Sequence, residues 1–203
     1  MVDQKKHQTI NLGFTREPFN EGTHICLIYN DDFERKRVIS KYLEGGLLTG
    51  EQVYYLADET SPDEILSWLA EQGVDPDHCR TREAEKAYCP HGYFSADEML
   101  ETIKNLYISS HESGYPASRV TGEMTWALRG IPGSEQLMEY ESRLNTVLPE
   151  YPITAICQYD AGRFDGKTIF ECLRVHPYMI VKHQIVRNPY YLKPEEYLRE
   201  QGT

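Results

Sequence analysis

Apolar runs and polar punctuation alternate along this chain in a regular order. His24-Ile25-Cys26-Leu27-Ile28-Tyr29 is short and continuous, bounded by Gly22 and by Asn30-Asp31-Asp32, and predicts a strand buried on both faces. Asp31 or Asp32 then caps a helix that carries Phe33, Val38, Ile39, Tyr42 and Leu43 on one side, and Gly45-Gly46 and Gly50 mark its expected end. Val53 to Ala57 makes a second strand. Ser61-Pro62-Asp63-Glu64 starts the next helix, with Ser61 as cap, Pro62 at the first helical position and Glu64 three residues after the cap.

The polar stretch from Cys79 to Tyr93 has neither period, and a weak strand followed by a loop is expected there. Ser95 or Asp97 opens a helix with Met99, Leu100, Ile103, Leu106 and Tyr107 at helical spacing, closed by Gly114 and Pro116. A strand from Ser118 runs into Gly122-Glu123-Met124-Thr125-Trp126. Pro132-Gly133-Ser134 precedes a helix carrying Leu137, Tyr140, Leu144 and Leu148. Ile153 to Tyr159 is another buried strand, followed by a helix near Lys167 to Val175 and a final strand from Tyr178 to Val186. Strands alternating with helices predict a three-layer α/β domain, a mostly parallel sheet with helices on both faces. The expected division is a polar lead-in over 1–22, one domain over 23–188 and a polar tail over 189–203.

Composition narrows the class. With 203 residues the chain buries one substantial core, and 21 Lys+Arg against 32 Asp+Glu give a net charge of -11, which disfavours direct contact with nucleic acid. The one modest basic cluster, Glu34-Arg35-Lys36-Arg37, follows two aspartates and reads as a solvated helix face. Five cysteines without a repeated spacing predict reduced thiols. No apolar stretch has the length of a signal peptide or a membrane span, so a cytoplasmic location away from membranes is expected.

Candidate chemistry follows from topology. Parallel sheets bind ligands beyond the carboxyl ends of their strands, and that edge gathers Tyr29, Asn30, Asp58, Glu59, Glu123, Trp126, Gln158, Tyr159 and Asp160. The expected ligand site is Asn30, Asp58, Glu123, Trp126, Tyr159 and Asp160, acidic groups beside aromatic walls suited to a small polar or cationic organic ligand. Core packing and helix capping are the competing roles for each of these residues. A nucleotide is not expected. The turn after the first strand has no glycine-rich loop and no Gly-Lys-Ser/Thr, and Asp31 and Asp32 would face the phosphates. His24 and Cys26 share one face of their strand, with Cys157 on a strand that could lie beside it, and a metal ion could bridge them. Yet His24 begins its strand, at the edge opposite the crevice and near His176, so core roles compete for these side chains as well. Cys89-Pro90-His91 carries less weight. No arrangement of nucleophile and base marks the chain as an enzyme, and Glu123 alone is not a mechanism.

Several segments together resemble the MEDS family, the methanogen/methylotroph and DcmR-type sensory domain. They are the first strand, Glu44-Gly45-Gly46-Leu47, Gly50-Glu51-Gln52-Val53-Tyr54-Tyr55, Val120 to Leu128 with its T-G-E-M-x-W core, Tyr140-Glu141 with Asn145, Cys157-Gln158-Tyr159-Asp160, and Arg174-Val175-His176-Pro177. The resemblance implies a RecA/KaiC-like fold with a degenerate nucleotide site. It also implies a non-enzymatic sensor of small hydrocarbon derivatives, methylated or halogenated, in prokaryotic signal transduction or transcriptional regulation. The family's H-x-C, C-Q-Y-D and His-Pro positions fall here on His24, Cys26, Cys157, Tyr159, Asp160 and His176, with His24, Cys26, Cys157 and His176 as the metal candidates. No helix-turn-helix or kinase pattern follows in the sequence, so output is expected through a separate histidine kinase or DNA-binding regulator, or through self-association. The competing expectation is a degenerate RecA-like protein that binds or hydrolyses nucleotide.

Overall fold

A computed structural model describes residues 8–202; residues 1–7, the start of the expected lead-in, and residue 203 lie outside them. In chain order the main elements are β1 (Thr9–Asn11), β2 (Pro18–Asn20), β3 (His24–Tyr29), α1 (Asp32–Leu48), β4 (Gln52–Ala57), α2 (Pro62–Glu71), β5 (Cys79–Glu83), α3 (Ala84–Tyr88), α4 (Ala96–Glu112), β6 (Ser118–Glu123), α5 (Leu137–Val147), β7 (Ile153–Asp160), α6 (Gly166–Val175), β8 (Tyr178–Val181), β9 (Gln184–Arg187) and α7 (Pro194–Gln201). The main sheet has the order β5-β4-β6-β7-β3-β8-β9. Every pairing from β5 to β8 is parallel, and only β9 is antiparallel. The central strands β6 and β7 are buried almost throughout, as expected of strands covered on both faces.

Side-chain alternation sorts the core into two layers. Ile25, Leu27 and Tyr29 of β3 and Tyr55 of β4 pack under α1 and α2, with Leu12 from the N-terminal segment. Cys26, Val120, Ala155, Cys157 and Tyr159 point the other way, against α3 to α6. The caps at Asp31, Ser61 and Ser95 form as the sequence indicates.

Several expectations are corrected. Gly45-Gly46 does not end the first helix, which continues to Leu48. The pair serves packing instead: a Cβ on Gly46 would lie 2.7 Å from Cδ of Arg119. That arginine is fully buried, forked onto Glu51 at 2.7 and 2.8 Å. The final strand is a hairpin, β8 and β9, whose two turn residues Lys182 and His183 both have positive φ, 47° and 64°. Such turns favour Asn-Gly, and without that signal the break was invisible. Within the lead-in, β1 and β2 form a small antiparallel ribbon beside the buried Leu12. The expected tail carries α7, which packs on α5 and α6 and buries Tyr197. It is also laced to α6: Asn188 donates to the carbonyls of Leu173 and His176, Leu192 N–H donates to Arg174 O, and Arg174 pairs with Glu200. No helix among the described residues is long and apolar enough to cross a membrane.

Candidate functional site

The crevice at the carboxyl ends of the strands is present, a volume of about 500 Å³ bordered by Tyr29, Arg35, Thr60, Trp68, Asp160 and Arg163. Behind its wall, the buried carboxylate of Glu123 is fully engaged by the protein. Glu123 Oε1 accepts from Arg35 Nη1 at 2.9 Å and from Tyr55 Oη at 2.6 Å, while Oε2 accepts the backbone N–H groups of Asp58, Glu59 and Thr60. Burial alone would raise its pKa, but the Thr60 and Tyr55 hydrogen bonds and the Arg35 charge hold it below the usual carboxylate range. Arg35 lies between the rings of Tyr29 and Trp68, 5.1 and 5.7 Å from their centroids.

The crevice set expected from the sequence does not converge. Tyr159 and Trp126 lie on the other face of the sheet from Glu123. Trp126 is fully buried and stacked on Tyr88 at 4.9 Å. Residue parity along β7 is the reason: Gln158 and Asp160 face away from Tyr159. Asp58 is bonded to Thr125 Oγ1 at 2.7 Å and to Arg129 at 2.6 Å, and Asp160 accepts the Gly162 N–H. Asn30 is exposed.

On the α5/α6 side of the sheet a second constellation forms. His24 opens β3, Cys157 lies midway along β7, His176 joins α6 to β8, and Glu141 projects from α5. All four are buried, and one ligand atom from each lies within 4.8 Å of every other. Glu141 Oε2 is 3.1 Å from His24 Nε2, 3.5 Å from His176 Nε2 and 3.3 Å from Cys157 Sγ, and Cys157 Sγ is 3.4 Å from His24 Nε2. Tyr159 Oη donates to the other oxygen, Oε1, at 2.7 Å. Cys26 groups with Cys172 and His176. Cys157 lies beside Cys26 on the neighbouring strand, midway along β7, so it reaches His24 and His176 although both stand at the edge opposite the crevice, with Glu141 above it.

The outer hydrogen bonds fix the imidazoles. Asn145 Nδ2 donates to the carbonyls of Glu141, Ser142 and Val175, which turns its Oδ1 toward His24 Nδ1 at 3.1 Å. His24 must therefore donate from Nδ1. His176 Nδ1 lies 2.8 Å from the carbonyl of Cys172 and is likewise a donor. Both rings, when neutral, direct a bare Nε2 lone pair at Glu141, and His176 Nε2 has no hydrogen-bond partner. Among four converging polar atoms only the Cys157 thiol brings a hydrogen. Burial disfavours a charged His176, but the neighbouring Cys26 and Glu141 outweigh it and push its pKa up to about 9. Burial would raise Glu141, yet His176 and His24 hold it well below the carboxylate range. Burial and then His176 drive His24 the other way, toward the neutral form. A proton on His176 thus leaves the His24 lone pair facing a carboxylate, an arrangement that a shared cation relieves.

Glu141 and Asn145 entered the sequence reading only as matching letters. Periodicity marks the first of them: Glu141 is four residues after Leu137 and three before Leu144, on the apolar stripe of α5.

A parallel sheet sandwiched by helices, with an open crevice at its carboxyl edge, defines the class: a RecA/KaiC-like α/β domain. A KaiC-like protein from Pyrococcus horikoshii OT3 superposes with a TM-score of 0.60 at 18% identity, over 85% of this chain and 79% of that one. The flagellar accessory protein FlaH from Methanocaldococcus jannaschii gives 0.60 at 10% identity, over 89% and 84%. Within that class the chain belongs to the MEDS family (MEthanogen/methylotroph, DcmR Sensory domain), a family of sensory domains, which it matches over residues 23–177. It is 30% identical over 154 residues to the transcriptional repressor DcmR of Methylorubrum extorquens (strain DSM 6343 / CIP 106787 / DM4), covering 75% of this chain but 57% of that relative.

Proposed function

We propose that the chain is a non-catalytic sensory module that holds a metal ion with His24, Cys157, His176 and Glu141, and detects small hydrocarbon derivatives near that centre. The observation that carries the reading is geometric: two imidazole Nε2 atoms, a carboxylate oxygen and a thiol, all buried, converge within 4.8 Å of one another, with both rings held through their Nδ1 atoms so that each Nε2 faces the centre. Four of the six edges are 3.1 to 3.5 Å and the other two lie within 4.8 Å, spacings that suit a tetrahedral ion. A tetrahedron with bonds of about 2.1 Å has edges of about 3.4 Å, and mixed nitrogen, sulfur and oxygen donors favour Zn²⁺. Cys26 belongs to a neighbouring group with Cys172 and His176. Asn145 and the Cys172 carbonyl act as the outer anchors that such imidazole ligands need.

A cleft of about 240 Å³ lined by His24, Asn145, Pro177, Tyr178 and Tyr191 adjoins the centre. Its small size suits ligands of a few heavy atoms, methylated or halogenated one-carbon compounds in particular, in keeping with the methylotroph association of the family. Output then passes to a DNA-binding or histidine kinase module, or through self-association. The alternative of nucleotide binding finds no support in the crevice, where Glu123 and Arg35 neutralise each other.

Cobalt titration of the chelator-treated protein tests the centre. One equivalent of Co²⁺ is expected to give thiolate-to-metal absorption in the near ultraviolet, lost in Cys157→Ser and weakened in His24→Ala. Absence of stoichiometric uptake of both Co²⁺ and Zn²⁺ by equilibrium dialysis overturns the proposal.

A further inference from the structure

A larger cleft lies far from the buried centre, between the β5 edge of the sheet and α4, with a volume of about 590 Å³. Its apolar surface comes from Tyr54 and Leu56 of β4 and from Met99, Ile103 and Leu106 of α4. Residue register explains why it stays open. Arg80 pairs with Tyr54 and Arg82 with Leu56, so both arginines point to the α4 side, where apolar side chains would otherwise close the layer. α4 instead packs closely on α5. Both arginines are exposed and border the cleft, and neither has a carboxylate within 4.0 Å among the described residues. No Asp or Glu lines the cleft, although the chain has a net charge of -11.

An apolar cavity of this size falls within the usual range for small-molecule sites, and its only charges are two unpaired guanidiniums of one sign. We infer that this cleft binds an apolar molecule carrying a carboxylate, its hydrocarbon body against Leu56, Met99 and Ile103 and its acid group held by Arg80 and Arg82. Guanidinium forks match carboxylates in shape as well as charge, and two of them on alternate residues of one strand reach the same mouth. The site is independent of the His24 and Cys157 centre and takes a different chemical class.

Titration calorimetry with sodium decanoate, kept below its micellar concentration, tests the assignment, with decyltrimethylammonium bromide as the partner of equal chain and opposite charge. Saturable one-to-one binding of decanoate and none of the cation is expected. In the Arg80→Gln/Arg82→Gln double variant, whose changes are exposed and leave the core intact, decanoate should bind about tenfold or more weaker. Thr102→Trp, which fills the cleft from α4, should abolish binding. Cys157→Ser should bind decanoate as the unsubstituted protein does, so failure of the metal proposal does not touch this one. The inference is overturned if decanoate gives no saturable heat, if the cation binds equally well, or if the double variant binds unchanged, the result expected if the arginines serve only to protect an edge strand.

Discussion

Two buried glutamates stand on opposite faces of one sheet, Glu123 under the crevice and Glu141 over β7, and their surroundings differ in what they supply. Glu123 receives a guanidinium, a phenol and three backbone amides, so every donor aimed at it is used and every lone pair it needs is filled. Glu141 receives a phenol and a thiol on one side and faces the Nε2 atoms of two imidazoles on the other. A saturated carboxylate is a structural member: it ties the β4–α2 loop to β6. The cluster around Glu141, held in place by Asn145 and a backbone carbonyl, is the one for which we propose a cation. Burial is similar in the two places, so burial alone does not separate structure from function; the balance of donors and acceptors does.

That contrast is open to measurement. Glu123→Ala strands the Arg35 charge and three amides, and a loss of about 4 kcal/mol in urea unfolding is expected, the same with or without chelator. Should the loss depend on metal, Glu123 belongs to the metal centre's network and the distinction collapses. For Glu141→Gln the expectation is reversed. In zinc at a hundred times the dissociation constant the variant should lack the metal's contribution of about 2.7 kcal/mol, whereas in chelator it should approach the unsubstituted protein more closely. An equal deficit in both conditions would make Glu141 another structural carboxylate.

Acidification gives a smaller effect with a definite sign. Because Glu123 is held below its ordinary pKa in the fold, its contribution is present above the unfolded value of about 4.3 and is lost as pH falls through the folded value. Glu123→Gln should therefore trail the unsubstituted protein by about 1.5 kcal/mol at neutral pH. The gap should narrow below pH ~4; a gap that widens there contradicts the assignment. The last expected effect is none at all: MgATP should leave the melting temperature unchanged, since the crevice offers paired charges in place of an amide cradle. Saturable calorimetric binding of MgATP would show that the crevice keeps a nucleotide site after all.

Much of the architecture was legible because most strands and helices here obey their periods; the stretch from Cys79, expected as a weak strand and a loop, holds β5 and, in place of the loop, the short helix α3. The run from His24 to Tyr29 and the cap at Ser61 lie where they were read. What escaped reading depended on partners distant in sequence. Gly46 breaks the helix pattern on paper, and only the buried Arg119 explains why it is inside the helix. Tyr159 follows its strand toward the crevice edge, but residue parity places it in the opposite layer from Glu123, and Trp126 lies beyond the end of β6 in a 3-10 turn that carries it into the same layer as Tyr159. For the metal candidates the residues were identified and their convergence was not, since Glu141, which joins them, comes from a helix whose height above the sheet no spacing rule gives.

His176 occupies a joint as well as a place in the centre. Its carbonyl is gripped by Asn188, the same side chain holds Leu173, and the strap that follows runs through Leu192 and Glu200 to Arg174, beneath α7. Centre, strap and terminal helix are thus connected in series, like links of a short linkage with one fixed pivot. His176 and the terminal helix therefore share one continuous set of hydrogen bonds, and a reporter attached to the exposed side of α7 stands at the far end of that set without touching the centre.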